Sequence, residues 1–95
     1  MDIVWRRQAE RDLQHVFEFV LEHDPGAAQQ LCDRIARRVA QLRDHPHMGR
    51  RGRVAGTREL IVAGTPYVVA YRVAASQVDV LAVIHASRRW PQAFD

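Results

Sequence analysis

Lysine is missing from this chain altogether, and every one of its 14 basic residues is an arginine. Such an absence more often reports the codon usage of a GC-rich genome than chemistry, although arginine's planar fork also serves phosphate and carboxylate contacts. Cysteine is nearly missing too. Cys32 stands alone, so no internal disulfide can form and nothing indicates an oxidising compartment. It falls among apolar helix positions, where a thiol is an inert core group rather than a nucleophile. No apolar run approaches the roughly 18 residues of a membrane span, and the N-terminus does not run from charged to apolar as a signal peptide does. A cytoplasmic location is therefore expected. A glycine-rich phosphate loop, an HExxH pair and a CxxC pair are all absent. His45 and His47 flank Pro46 with no cysteine or carboxylate cluster to complete a metal site, so neither a metal nor a cofactor is expected.

What is present fits a single domain over residues 1–95, 47% of them hydrophobic, which is enough for one compact unit with a modest core. The formal charge of +3 and a pI near 10.0 permit an anionic partner without requiring one.

The stretch from Gly56 to His85 organises the rest. Three runs rich in Val, Ile, Leu and Tyr are divided by Ala63-Gly64-Thr65-Pro66 and by Ala74-Ala75-Ser76-Gln77, the pattern of an antiparallel meander. A tight turn at Ala75-Ser76 sets Arg72 opposite Asp79, Tyr71 opposite Val80 and Val69 opposite Ala82. A four-residue first loop sets Leu60 opposite Val69 and Glu59 opposite Ala70. Alternation then assigns Leu60, Val62, Tyr67, Val69, Tyr71, Val73, Val78, Val80, Ala82 and Ile84 to one apolar face. Glu59, Ile61, Val68, Ala70, Arg72, Asp79, Leu81, Val83 and His85 fall on a second face of mixed character, which wants a partner.

Upstream of the meander, Asp2 to Trp5 reads as a short fourth strand. From Arg6 to His23 the apolar residues Ala9, Leu13, Val16, Phe17 and Val20 mark one helical face. Asp24 as N-cap and Pro25 at the first position start a second helix, with the stripe Ala28, Leu31, Ile35, Val39 and Leu42, which ends at His45 before Pro46. The fold class is α+β, with a helical hairpin packed on an antiparallel sheet of three to four strands. The loop from His45 to Gly56 carries Arg50, Arg51 and Arg53, and Trp90 and Phe94 in the tail are expected to pack back on the body.

His85 ends the third meander strand beside Arg88 and Arg89. A histidine with neighbouring arginines could move a proton and stabilise a phosphorane, the minimum for a metal-free ribonuclease. The same residues also read as a polar strand end that hydrogen-bonds the tail, and this reading is preferred because no second acid-base group is visible on that face.

The order of elements, together with Ala9…Asp12-Leu13, Pro25…Ala27-Ala28, Leu42…Pro46…Gly49-Arg50, Gly56-Thr57-Arg58-Glu59-Leu60, Pro66-Tyr67-Val68-Val69-Ala70-Tyr71-Arg72-Val73 and Val83-Ile84-His85…Trp90-Pro91, resembles the RelE/ParE superfamily of bacterial type II toxins over nearly the whole chain. The resemblance implies one of two activities. RelE-like members cleave messenger RNA in the ribosomal A site with basic residues on the open sheet face, including an arginine directly after the first aromatic of the middle strand. Here that position is Val68, and the strand before offers Glu59 and Ile61 where such enzymes place Lys or Arg. His85, Arg72, Arg88 and Arg89 remain as catalytic candidates, with Arg72 expected to be engaged by Asp79. ParE-like members lack the ribonuclease residues and poison DNA gyrase, and this sequence departs from RelE in the same direction. The resemblance thus implies a gyrase-directed toxin, with a ribosome-dependent mRNA endoribonuclease as the alternative and a binding module without toxicity as a third reading. It also implies a cognate antitoxin whose C-terminal segment is disordered until it wraps the toxin. On the mixed face Val68, Arg72, Leu81, Val83 and His85 are its expected contacts, and Arg88, Arg89 and Trp90 are the expected target-binding residues.

Overall fold

Asp24 breaks the helical hairpin where its chemistry requires. In the computed structural model, which describes residues 1–94, its carboxylate accepts the Ala27 N–H at 3.2 Å and Pro25 takes the first position of the following helix. The first helix, α1, spans Arg7–His23 and the second, α2, spans Pro25–Ala40. Regular α geometry stops earlier than the sequence predicts, because the chain tightens into a 3-10 turn at Gln41–Arg43. There the Gln41 carbonyl accepts from both Asp44 and His45. Orphaned last-turn carbonyls are satisfied in this way just before Pro46 forbids helix. Ala9, Val16, Ala28, Cys32, Ile35 and Val39 are buried, and Leu13, Phe17, Val20 and Leu31 pack partly buried against the same core. The expected stripes do face inward.

Among the described residues the sheet has five strands, one more than the upper expectation. They are β1 (Asp2–Trp5), β2 (Arg50–Arg51), β3 (Arg58–Ile61), β4 (Tyr67–Ala74) and β5 (Gln77–His85), in the order β1-β5-β4-β3-β2. β1 runs parallel to β5 and the other pairs are antiparallel. Both helices lie on one side, where Leu60, Val62, Tyr67, Val69, Tyr71, Val78 and Val80 complete the core.

The predicted register holds at Leu60 opposite Val69, Glu59 opposite Ala70, Tyr71 opposite Val80 and Arg72 opposite Asp79. It fails at Val69, which pairs with Val83 and not with Ala82. Tyr71 pairs with Val80 and Ala70 with Ala82, so Leu81 is an extra residue in β5, a bulge. One added residue reverses the alternation beyond it. Val83 and His85 therefore turn to the helix side, and Ala82 and Ile84 to the other.

The bulge falls where β1 ends. Trp5 pairs with Val80, Arg6 N–H donates to the Val80 carbonyl at 2.9 Å, and the chain leaves the sheet as α1. Beyond that point the edge of β5 has no neighbouring strand among the described residues. Its Val83 N–H donates instead to the Asp12 carboxylate of α1 at 2.9 Å. Among the described residues no helix is long and apolar enough to cross a membrane.

Ile35 is fully buried, whereas Ile61 on β3 is 46% exposed. Ile35→Ala is expected to lower unfolding stability by about 2–5 kcal/mol, and Ile61→Ala by no more than about 0.5 kcal/mol. Denaturant titrations of the two variants check this.

Candidate functional site

A carboxylate on the face away from the helices sets the shape of that side. Glu59 points from β3 and is 3% exposed. Its Oε1 accepts from Arg50 Nε and Nη2 at 3.2 and 3.0 Å and from Arg53 Nη2 at 3.2 Å. Its Oε2 accepts from the Arg53 backbone N–H and Nε at 2.8 and 3.1 Å. Burial pushes the Glu59 carboxyl up, but the hydrogen bonds from Arg53 and Arg50 more than offset this and hold it below the ordinary value of 4.5. Arg50 lies directly opposite Glu59 in the ladder, so the same ion pair accounts for β2 existing at all.

Two further fastenings keep this loop down. The Tyr71 hydroxyl, buried in the core, accepts from the Gly49 N–H at 2.9 Å and donates to the Pro46 carbonyl at 2.8 Å. A Cβ at Gly49 would stand 2.6 Å from that hydroxyl, so only glycine fits. At the other end the Arg53 guanidinium lies over the Trp90 ring, 3.7 Å from its centroid, and joins loop to tail by a cation–π contact.

Between them, loop and tail lie against part of the sheet face. Val54, Val68, Ala70, Leu81 and Ala82 are buried there although none belongs to the helix-side core. Pro91, Ala93 and Phe94 share a groove with Leu81, Ala82 and Ile84. The predicted antitoxin groove is consequently not one surface. Val68 is buried, Leu81 is buried beside a groove lined by the tail residues Pro91, Ala93 and Phe94, Val83 is in the helix-side core, and His85 faces away from Arg72 across the sheet.

Arg72 is not engaged as expected either. Asp79 pairs with Arg6 at 2.9 Å and accepts from Gln77 Nε2 at 2.8 Å. Among the described residues Arg72 forms no ion pair. The N-terminal strand, by lying beside β5, brings Arg6 to the carboxylate first.

The bulge builds a second feature on the helix side. A cleft of about 440 Å³ opens between α1 and the end of β5, lined by Asp12, His15, Val16, Phe19, Tyr67, Val83, Ile84, His85, Arg88 and Arg89. Three of the four catalytic candidates, His85, Arg88 and Arg89, therefore meet in one place. Arg72 is five residues along β4 from Tyr67, about 16 Å away at roughly 3.3 Å per residue, and on the opposite face.

His85 stands edge-on to Tyr67 with centroids 5.4 Å apart. Its Nδ1 accepts the Ser87 N–H at 3.2 Å and lies 2.7 Å from the Ser87 hydroxyl. A backbone N–H can only donate, so this contact assigns the ring proton to Nε2. The Tyr67 hydroxyl is pushed up by burial, with Arg88 pulling the other way.

The α1 wall of this cleft was not anticipated. Its signal in the sequence is Phe19, an apolar residue outside the stripe Ala9, Leu13, Val16, Phe17 and Val20, at helical spacing from Asp12, His15 and Val16. Among the described residues no three His, Cys, Asp or Glu side chains are grouped to hold a metal ion.

Residues 3–90 match the family model of the ParE toxin of type II toxin-antitoxin systems, parDE. The chain is similar to Y4kP of Sinorhizobium fredii, 39% identical over 95% of this chain and 93% of that protein. It is also similar to toxin RelE2 of Caulobacter vibrioides, 34% identical over 90% of this chain and 96% of that one. In structure it matches a chain of the chromosomal ParDE TA system from P. aeruginosa with a TM-score of 0.83, covering 90% of this chain and 95% of the other. At 24% identity that last likeness is one of fold.

Arg53→Ala removes the two side-chain hydrogen bonds among the five on a buried carboxylate, leaving the backbone one, and is expected to cost about 1–3 kcal/mol. Because the folded pKa of Glu59 is depressed, its contribution is complete above the unfolded value near 4.5 and is lost as pH falls through the folded value. The stability gap between wild type and Glu59→Gln should therefore be largest at neutral pH and shrink below pH 4.5. Thermal melts of both proteins across the acid range measure it.

Proposed function

The chain belongs to the ParE toxin family and is the toxin component of a type II toxin-antitoxin system, and from that premise we propose that it arrests growth by binding and inhibiting DNA gyrase in the cytoplasm until a cognate antitoxin neutralises it. The observation that carries the proposal is what stands on the sheet face away from the helices. A RelE-like ribonuclease needs cations there to hold the RNA backbone and to stabilise the charge of a phosphorane. Here the position after Tyr67 is the buried Val68. Arg50 and Arg53 are engaged by Glu59, the tail lines a groove with Leu81, Ala82 and Ile84, and Arg72 is the cation left there without an ion pair among the described residues. A single unpaired arginine is a poor platform for an RNA backbone, which favours the gyrase reading.

Arg88 and Arg89 are exposed, and they are the residues proposed to grip the target. The Arg88 N–H donates to the His85 carbonyl at 2.9 Å, which fixes the turn they stand on. Trp90, half-buried under Arg53, anchors the chain just beyond them. Arginine and tryptophan are over-represented among residues that carry protein–protein binding energy.

Cleavage of ribosome-bound message is the second reading, and the cleft supports it by placing His85 with Arg88 and Arg89. Such a reaction needs a base for the 2′-hydroxyl and an acid for the leaving oxygen. The His85 lone pair is turned to Ser87, so the ring offers the cleft a donor and no base.

In gyrase assays the purified chain is expected to block supercoiling, and on translating ribosomes to leave messenger RNA uncut. His85→Ala should retain most of the toxicity on controlled expression, whereas Arg88→Ala combined with Arg89→Ala should weaken it about tenfold. Codon-specific cuts abolished by His85→Ala would reverse the order of the two readings.

A further inference from the structure

Positive charge is not spread evenly along this chain. Residues 34–59 hold eight of the 14 arginines and only two carboxylates, Asp44 and Glu59, whereas the rest of the chain holds six arginines and nine carboxylates. Such polarity gives one side of a molecule to an anionic partner.

Three of these arginines are held along one line. Arg58 Nη1 donates to the carbonyls of Gly49 and His47 at 2.8 and 3.2 Å. Arg38 donates from Nε to the Ile61 carbonyl at 3.1 Å and from Nη1 to Gln41 Oε1 at 2.7 Å. Arg34 lies so close to Gly64 that a Cβ there would stand 2.9 Å from its Nη2. Arg58, Ile61 and Gly64 follow one another along β3 and the loop after it, so the three guanidinium groups make a row between α2 and the sheet edge. Carbonyl and amide oxygens fix a guanidinium without cancelling its charge. Among the described residues the ion pairs are those of Arg6, Arg50 and Arg53 alone, and the row has none.

Arg51 extends the row. It stands directly opposite Arg58 in the β2–β3 ladder, where like charges repel. The two share a cleft of about 550 Å³ with His47 and Thr57, and no carboxylate lines it. At the other end Asp33 stands in the cleft of Arg34 and Arg37, but its Oδ1 already accepts from Gln29 Nε2 at 2.8 Å.

Arg38 and Arg58 have thus lost rotamer freedom before any partner arrives, while their charge is intact, a state suited to gripping phosphates. Ile61 and Met48 are exposed nearby yet line neither cleft, so an acidic peptide finds no socket for an apolar anchor. No Phe, Tyr or Trp lines either cleft to stack an unpaired base. A double helix, held by its phosphates, fits both facts.

We propose that the row Arg34, Arg38, Arg58 and Arg51 binds the phosphodiester backbone of duplex DNA without reading its sequence. Its place in the mechanism rests on the gyrase reading, under which Arg88 and Arg89 hold the enzyme and the row holds the enzyme's DNA.

The test is fluorescence anisotropy of the purified full chain with labelled duplexes of about 30 base pairs and unrelated sequences, titrated with salt. Four phosphate contacts predict that log K falls with log salt at a slope of about −3.6. Arg34→Gln with Arg51→Gln should reduce the steepness by about 1.8 and weaken binding about tenfold or more at about 0.1 M salt. Because Arg51→Gln relieves the repulsion from Arg58, this variant should melt at or above the wild-type temperature. Arg88→Gln with Arg89→Gln removes two charges outside the row and should leave the slope unchanged while gyrase inhibition weakens. Equal loss of slope in both double variants means diffuse attraction and overturns the proposal. Tighter binding of single-stranded or ribosomal RNA than of duplex DNA overturns it as well. Absence of duplex binding at about 50 mM salt, in a chain that still inhibits gyrase, overturns the DNA site and leaves the toxin reading standing. Duplex binding through the row by a chain that does not inhibit gyrase keeps the site and removes the gyrase reading.

Discussion

Five hydrogen bonds converge on the carboxylate of Glu59, and one whole side of the molecule depends on them. A buried carboxylate without partners would cost several kcal/mol. The sheet therefore keeps Glu59 only because Arg50 and Arg53 come to it, and in coming they carry the Gly49 to Gly56 loop across the sheet. Arg53 then reaches on to Trp90 and fixes the tail. The result is a second, small buried layer containing Val54, Val68, Ala70, Leu81 and Ala82, opposite the helical core. Much of a face that might have been an open platform is buried, with Ile61 left exposed.

The bulge at Leu81 has an equal consequence on the other side. In unbroken alternation His85 would share the loop-covered face with Arg72. With one residue added, it shares the helix side with Tyr67 and meets α1. The cleft exists because a strand edge left bare by β1 is capped by Asp12, which draws α1 toward the end of β5. Fold and candidate site are thus linked through one helix carboxylate and one strand irregularity.

Much of this was legible in the residues. Asp24-Pro25 marks the hairpin, the apolar stripes mark the buried faces of α1 and α2, and the turn at Ala75-Ser76 sets the register of β4 and β5 correctly as far as Val80. The bulge was not legible, because neither glycine nor proline marks it; its cause is tertiary, the departure of β1 from the edge. The partner of Glu59 was half legible. A carboxylate on a strand of mixed character needs a cation, and Arg50, Arg51 and Arg53 were the nearest supply, but which of them would turn inward depends on the Tyr71 and Trp90 contacts that no local pattern encodes. Arg72 was misassigned for the same reason, since Arg6 reaches Asp79 from a strand far away in sequence.

The claim on which the functional account turns is that the loop stays closed over the sheet in the native protein. The exchange rate of the Arg53 backbone amide, measured by NMR on the purified wild-type chain, tests it most directly. That N–H is held 2.8 Å from a buried carboxylate oxygen, so protection comparable to the amides of the β3–β4 ladder is the predicted result. Exchange at the rate of an unstructured loop amide would contradict the account: the sheet face would be open, and the argument against an RNA platform there would fall.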